Sequence, residues 1–382
     1  MAIPYGKQHI TEEDIEAVVK TLKSDFLTQG PAVKEFEEQF ALYCKSKFAV
    51  AVSNGTAALH LAVLSLDIKP GDKVITTPIT FAATANSVLY AGGEVVFCDI
   101  DPHTYLIDIN KLEEILSSSP KGTYKGIIPV DFAGRAVDMQ SVKELADRYG
   151  CCIIQDACHA PGAYFIDQSN HKQFCGNSIY SDLTVFSFHP VKHIAAGEGG
   201  MVTTNSESLY KKLLMLRTHG ITKDPALLIE NHGKWYYEMH ELGYNYRLTD
   251  IQAALGTSQL RRANSGLDRR KEIARNYYQA FEKRPYIHGQ SGVVEGHAYH
   301  LYIIEVDKRK ELHEYLHANN IFAQIHYVPL HLMPYYKKFG WKKGDMPNAE
   351  NYYSKCVSLP IYPTLTNKEQ DLVINLIDNF YE

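Results

Sequence analysis

Residues 181–205 read S-D-L-T-V-F-S-F-H-P-V-K-H-I-A-A-G-E-G-G-M-V-T-T-N. Both ends of the stretch are apolar and β-branched. The pattern predicts a strand over 183–188, a turn carrying Lys192, a glycine-rich reversal at 196–200 and a second strand over 200–204. Flanking strands would draw that turn inward, where amines are scarce. No carboxylate stands between Pro190 and Gly197 to pair with Lys192. Burial favours the neutral, nucleophilic amine that condensation with an aldehyde requires, whereas a lone loop lysine ordinarily points at water. The rest of the chain has to decide between the two.

Outward from this stretch, short apolar runs at 48–53, 73–76, 94–98, 126–131 and 152–156 join the two at 183–188 and 200–204 to give seven expected strands. Helical spacing follows most of them, at 56–66, 80–91, 109–116, 139–149 and 206–217. The alternation predicts an α/β fold with a doubly wound, mostly parallel sheet between helices. Ligands of such sheets sit beyond the carboxyl ends of the strands, which makes the polar residues there candidates. Upstream, helical spacing at 11–24 and 33–45 is joined through L-T-Q-G-P. Downstream, Thr249 and Gln252 form a capping box that opens an amphipathic helix bearing Leu248, Ile251, Leu255 and Leu260. Beyond it, helices are expected at 269–283, 308–318 and 368–380, with strand-like runs at 300–306 and 322–328.

Two further motifs fall at strand ends. In S-N-G-T-A-A-L-H-L-A, 53–62, Gly55 permits an unusual turn and Thr56 begins a helix, whose free N–H groups and hydroxyl suit a phosphate; a plain helix cap would look the same. In I-I-Q-D-A-C-H-A-P-G, Asp156 stands at the ligand edge with His159 three positions on. A carboxylate there is either held by backbone N–H groups or paired with a cation, and a protonated pyridine nitrogen is such a cation. Phosphate cup, pyridine partner, the Ser187 hydroxyl and the Lys192 amine together are what pyridoxal phosphate needs.

Composition narrows the remaining classes. A net charge of -5 disfavours nucleic acid as the main partner. The opening M-A-I-P-Y-G-K has no apolar signal core, and no run of about 18 apolar residues exists to span a bilayer. Seven cysteines, an odd number, several in strand-like runs, suit a reducing compartment. A cytoplasmic protein without a membrane partner is expected. The spacing of Cys152, Cys158, His159, His171 and Cys175 fits no zinc pattern, so no metal is expected, and the glycines of 196–200 do not spell a dinucleotide fingerprint.

In order along the chain, L-T-Q-G-P, S-N-G-T-A, T-T-P-I-T-F-A-A-T-A-N, V-D-F-A-G, D-A-C-H-A, F-S-F-H-P-V-K, G-E-G-G, R-T-H-G, G-Y-N-Y-R and Q-I-H-Y resemble the sugar-nucleotide aminotransferases of the DegT/StrS type, within the fold-type-I group of pyridoxal-phosphate enzymes. The resemblance implies that Lys192 holds the cofactor as a Schiff base, that Asp156 pairs with the pyridinium nitrogen and that Phe81 stacks on the ring. It places Thr56, Ala57 and Ser187 on the phosphate, His159 beside the phenolic side of the ring, and Asn245 on the phosphate from a neighbouring subunit, hence a homodimer with shared active sites. Nucleotide-sugar contacts by the same similarity are Thr28, Gln29, Gly30, Arg247, His326 and Tyr327. The implied domains are 1–30, an N-terminal segment contributing to the substrate site; 31–248, the large cofactor-binding domain; and 249–382, a bridging helix with a smaller C-terminal α/β domain.

A related dehydratase carries histidine where the lysine stands, so the presence of Lys192 favours amino transfer. Three of these motifs look most like the pseudaminic-acid-pathway branch. The implied reaction moves an amino group from L-glutamate to carbon 4 of UDP-2-acetamido-2,6-dideoxy-β-L-arabino-hex-4-ulose, with another UDP- or dTDP-4-keto-6-deoxy sugar as the alternative substrate. The alternative of another class is a non-catalytic binding or regulatory protein that kept the pocket. One departure from the family pattern is H-I-A-A at 193–196, directly after the lysine.

Overall fold

The computed structural model describes residues 2–289 and 292–382. Its central sheet contains, in chain order, β1 (Phe48–Val52), β2 (Lys73–Thr76), β3 (Glu94–Phe97), β4 (Tyr124–Ile128), β5 (Cys152–Asp156), β6 (Leu183–Ser187) and β7 (Gly200–Thr204). Hydrogen bonding orders them β1-β7-β6-β5-β4-β2-β3. All seven runs expected from the sequence meet in this one sheet. Every neighbouring pair is parallel except those of β7, which runs antiparallel to both β1 and β6. The Lys192 turn therefore leaves the carboxyl end of β6 and returns beside it. β4 stops at Ile128, short of the expected 131, because Pro129 has no N–H to donate; Val130 adds a single bridge to Asp156.

Side-chain alternation explains why the sheet is covered on both faces. From β1, β6 and β7, Val50, Val52, Val185 and Val202 point one way and pack with α3 (Gly55–Ser65). Ala49, Ala51, Phe186 and Met201 point the other way and pack with Phe36 and Phe40 of α2 (Pro31–Cys44). With no polar side turned to solvent, α3 is buried almost throughout, against the sheet and against α4 (Ala82–Tyr90).

The capping box at Thr249 and Gln252 forms as expected and opens α5 (Asp250–Arg261), which lies against α2; a Cβ on Gly256 would come within 2.7 Å of the Phe36 ring, so the close approach requires glycine. Where the sequence suggested a helix from 269, α6 (Ala263–Phe281) starts six residues sooner, almost continuous with α5. Its first part, Ala263 and Leu267, belongs to the Phe36 cluster, and its later part, Ile273, Ala274, Tyr277 and Phe281, to a second core. That core covers an antiparallel sheet of Ile287–His288, Tyr302–Val306 and Cys356–Leu359. Cys356–Leu359 was not among the runs expected from the sequence. The strand expected over 322–328 is reduced to Ile321–Phe322, paired with Ile3–Pro4, after which the chain turns toward the cavity described next.

Candidate active site

A cavity of about 670 Å³ opens at the carboxyl ends of β1, β5 and β6. Lys192 lines it. Its amine is enclosed, and burial, opposed in part by the Asp156 charge, lowers its pKa from 10.5 to about 8. At pH 7 about one amine in ten is then neutral, against about one in three thousand for a free lysine. The nearest hydrogen-bonding group is His300, with Nε2 3.4 Å from Nζ.

Asp156 closes β5 and is 4% exposed. Its Oδ2 accepts the Thr84 hydroxyl at 2.7 Å and its Oδ1 the Cys158 N–H at 3.2 Å, so both oxygens are oriented. Thr84 in turn meets Thr80 at 2.7 Å. This hydroxyl relay lies within the quoted T-F-A-A-T-A-N: Thr80 just precedes α4 and Thr84 stands in its first turn.

The start of α3 supplies the anion end. Asn54 is the N-cap, accepting the Ala57 N–H at 2.8 Å, and the helix begins at Gly55, one residue before the expected Thr56. Ala57 is thereby turned inward, and the cavity is lined instead by Gly55 and Thr56. The Ser187 side chain sits directly against this helix start: a Cβ on Gly55 would fall 3.0 Å from Ser187 Cβ and 3.3 Å from its Oγ. Two hydroxyls and unconsumed N–H groups thus converge at a helix N-terminus.

His159, Phe81, His326 and Tyr327 form much of the remaining wall. His159 Nδ1 accepts the Ala133 N–H at 3.3 Å, which leaves its proton on Nε2, 3.3 Å from the Tyr327 hydroxyl. Burial holds His159 well below its ordinary pKa, so the ring is neutral. His326 is likewise lowered, to about 3, and its Nδ1 lies 2.9 Å from the Ser358 hydroxyl. Phe81 is the exposed lip, its ring 6.2 Å from that of Tyr327.

Besides Ala57, five expected contacts stand outside this cavity. Thr28 pairs with Thr249, Gly30 donates to Asp250 Oδ2 at 2.8 Å, and Gln29 lies exposed between them with a φ of 56°. Arg247 pairs with Val52, and Asn245, exposed, pairs with Thr218. The lining residues that the sequence reading missed include Tyr5, Gln324 and His300. Gln324 opens the quoted Q-I-H-Y, of which only His326 and Tyr327 were singled out; Tyr5 and His300 lie on elements distant in the chain, and no local pattern marks them.

The donor set fits pyridoxal phosphate: an anion cradle at α3, an oriented carboxylate at β5 and an enclosed, partly neutral amine between β6 and β7. When bound, that cofactor supplies an electron-withdrawing ring to the carbon bearing the transferred nitrogen. Comparison with known proteins agrees. The family model of the DegT/DnrJ/EryC1/StrS aminotransferases matches residues 8–378. The chain is 40% identical to the Bacillus subtilis spore coat polysaccharide biosynthesis protein SpsC, over 98% of this chain and 96% of that one. It is 38% identical to a Campylobacter jejuni UDP-4-amino-4,6-dideoxy-N-acetyl-β-L-altrosamine transaminase, over 100% and 98%. Spr1654 of Streptococcus pneumoniae in its PLP form shares the fold with a TM-score of 0.88 and 30% identity, covering 99% of this chain and 98% of that one. Sheet, site and likeness along the whole chain agree, and the protein belongs to the DegT/DnrJ/EryC1/StrS aminotransferase family, whose cofactor is pyridoxal phosphate.

Proposed function

We propose that this protein transfers the amino group of L-glutamate to carbon 4 of UDP-2-acetamido-2,6-dideoxy-β-L-arabino-hex-4-ulose. The observation that carries the reading is the enclosed Lys192 amine sharing one cavity with the oriented Asp156 carboxylate and the Thr56–Ser187 anion cradle. Lys192 attaches the cofactor and, when free, moves a proton between the donor or acceptor carbon and the cofactor. Asp156 keeps the ring nitrogen protonated. His159 would lie beside the ring and Phe81 would stack on it. The sugar is taken from the altrosamine transaminase to which the chain is similar.

The reading includes a cytoplasmic homodimer with domains divided at residues 30 and 248. Thr28, Gln29, Gly30, Asn245 and Arg247 then serve the neighbouring subunit's site, which is supported by their place outside the cavity of their own chain and by the exposed Trp235 and Leu242 on the segment leading to Asn245. Among the described residues no helix is long and apolar enough to cross a membrane.

A second reading is a different UDP- or dTDP-4-keto-6-deoxy sugar, since the chain is as similar to a spore coat polysaccharide biosynthesis protein as to the altrosamine transaminase. Turnover of a panel of UDP- and dTDP-keto sugars with glutamate separates the two by relative kcat/KM. Preference for a dTDP sugar replaces the first reading with the second, and the absence of any amino product from the whole panel sinks both.

A further inference from the structure

We propose that His300 is the positioning residue for Lys192, its Nε2 accepting an N–H of the lysine amine whenever that amine is free of the cofactor. The inference rests on the reading that Lys192 carries the cofactor. The contact is 3.4 Å, and among the described residues it is the one hydrogen bond Lys192 Nζ makes. A lysine has four rotatable side-chain bonds, and in a cavity of about 670 Å³ a released amine has many places to go. Donating one N–H to His300 ties it back to the wall.

The imidazole is itself held. His300 is 4% exposed, and its ring lies 4.3 Å from that of His159 and 5.8 Å from that of His193, centroid to centroid. Its peptide is clamped from two sides. The Ala298 N–H donates to Gly134 O at 2.7 Å and the Leu301 N–H to Ala133 O at 3.2 Å. From α6, the buried Arg270 guanidinium donates to the carbonyls of Tyr299 at 3.2 Å, His300 at 3.4 Å and Ile361 at 2.9 Å. Tyr299, with a φ of 48°, makes the left-handed step that aims the following side chain. Burial keeps His300 neutral, so its Nε2 meets the lysine ammonium without repelling it; acceptance there puts the ring proton on Nδ1, which has no hydrogen-bond partner among the described residues. The other groups acting on Lys192 are Asp156 and Cys158 at the β5 end, His159 and His326 in the wall, His193 next along the turn and Arg270 from α6. None of these is bonded to Nζ among the described residues.

The test compares His300→Gln, which places an amide near the Nε2 position, with His300→Asn, which places it near Nδ1, and His300→Leu, which has no acceptor. Each enzyme is treated with glutamate to free Lys192, and the pH dependence of reductive methylation of that residue is followed by mass spectrometry. Losing an acceptor disfavours the ammonium, so the midpoint in Leu and Asn should fall by about half a unit to one unit, while Gln stays within about 0.3. In turnover, Leu and Asn should lower kcat about 10- to 100-fold with KM for the keto sugar within about threefold, an increased isotope effect from α-deuterated glutamate, and rescue by Gln to within about fivefold. A packing role alone would lower thermal stability without moving the methylation midpoint. The proposal is overturned if Leu leaves midpoint and kcat within about twofold of wild type, or if Gln rescues no better than Asn; should Leu fail to fold, the Gln and Asn pair still decides. Borohydride reduction of the wild-type holoenzyme separates the two levels, since label on a different lysine removes the underlying reading rather than the part played by His300.

Discussion

The Thr84 hydroxyl donates to Asp156 Oδ2 at 2.7 Å, fixing one oxygen of the carboxylate while the Cys158 N–H holds the other. Thr84→Val keeps the shape of the side chain and deletes the donor. Losing one such bond to a charged group costs about 1.5–3 kcal/mol. If Asp156 faces the cofactor nitrogen, the cost appears as about a 10- to 100-fold fall in kcat/KM and weaker cofactor retention, measured by steady-state rates and by dialysis against cofactor-free buffer. Unchanged kinetics in a folded variant would show that Asp156 does not depend on this relay.

Lys192 gives the apoenzyme a pH dependence of defined sign. Its folded pKa of about 8 lies below the ordinary 10.5, with burial the chief cause. As pH falls from about 10.5 to about 8, the unfolded chain takes up this proton before the folded one does, so stability drops through that window and levels off below it, by about 3 kcal/mol in all. Lys192→Met should abolish this slope and be the more stable protein at pH 7 without cofactor. Urea melts of both apoenzymes between pH 7 and 10.5 check it, and parallel curves would count against a buried amine.

Gly134 holds a φ of 96°, and a Cβ there would lie 2.8 Å from the His159 carbonyl and 3.0 Å from the N atoms of Tyr299 and His300. All three are backbone and cannot swing away. Gly134→Ala should therefore cost about 1–3 kcal/mol and disturb His159 and His300 together. Lower thermal stability with weakened cofactor affinity is the expected pair of results, and a variant that melts like wild type would show that the segment yields.

The proposed shared sites make a quantitative forecast. Lys192→Ala and Asn245→Ala, each impaired alone, should complement when dissociated and reassociated together. Random pairing makes about half the dimers hybrid, and each hybrid carries one intact site, so about a quarter of wild-type activity should return. No gain above the separate variants would mean that Asn245 serves its own subunit or neither.

The readable part of this protein was local in the chain. Short apolar, β-branched runs such as those at Phe48–Val52 and Leu183–Ser187 predicted the seven central strands, and Thr249 with Gln252 marked the start of α5, because run composition and capping are properties of a few consecutive residues. Lys192, Asp156, Thr56 and Ser187 were legible for the same reason: each stands at a strand end or helix start, where a doubly wound sheet collects its ligands.

Only the tertiary structure decided that β7 runs against its neighbours, that Ala57 gives its N–H to Asn54, and that Asn245 and Arg247 stand apart from the cavity of their own chain. His300 belongs to the same class. It lies 108 residues from Lys192 in the chain and reaches it through the packing of Arg270 and Gly134 on either side of its peptide. Sequence set which segments could form, since that depends on neighbours along the backbone; which side chains meet was settled by how those segments close on one another, and no periodicity records it.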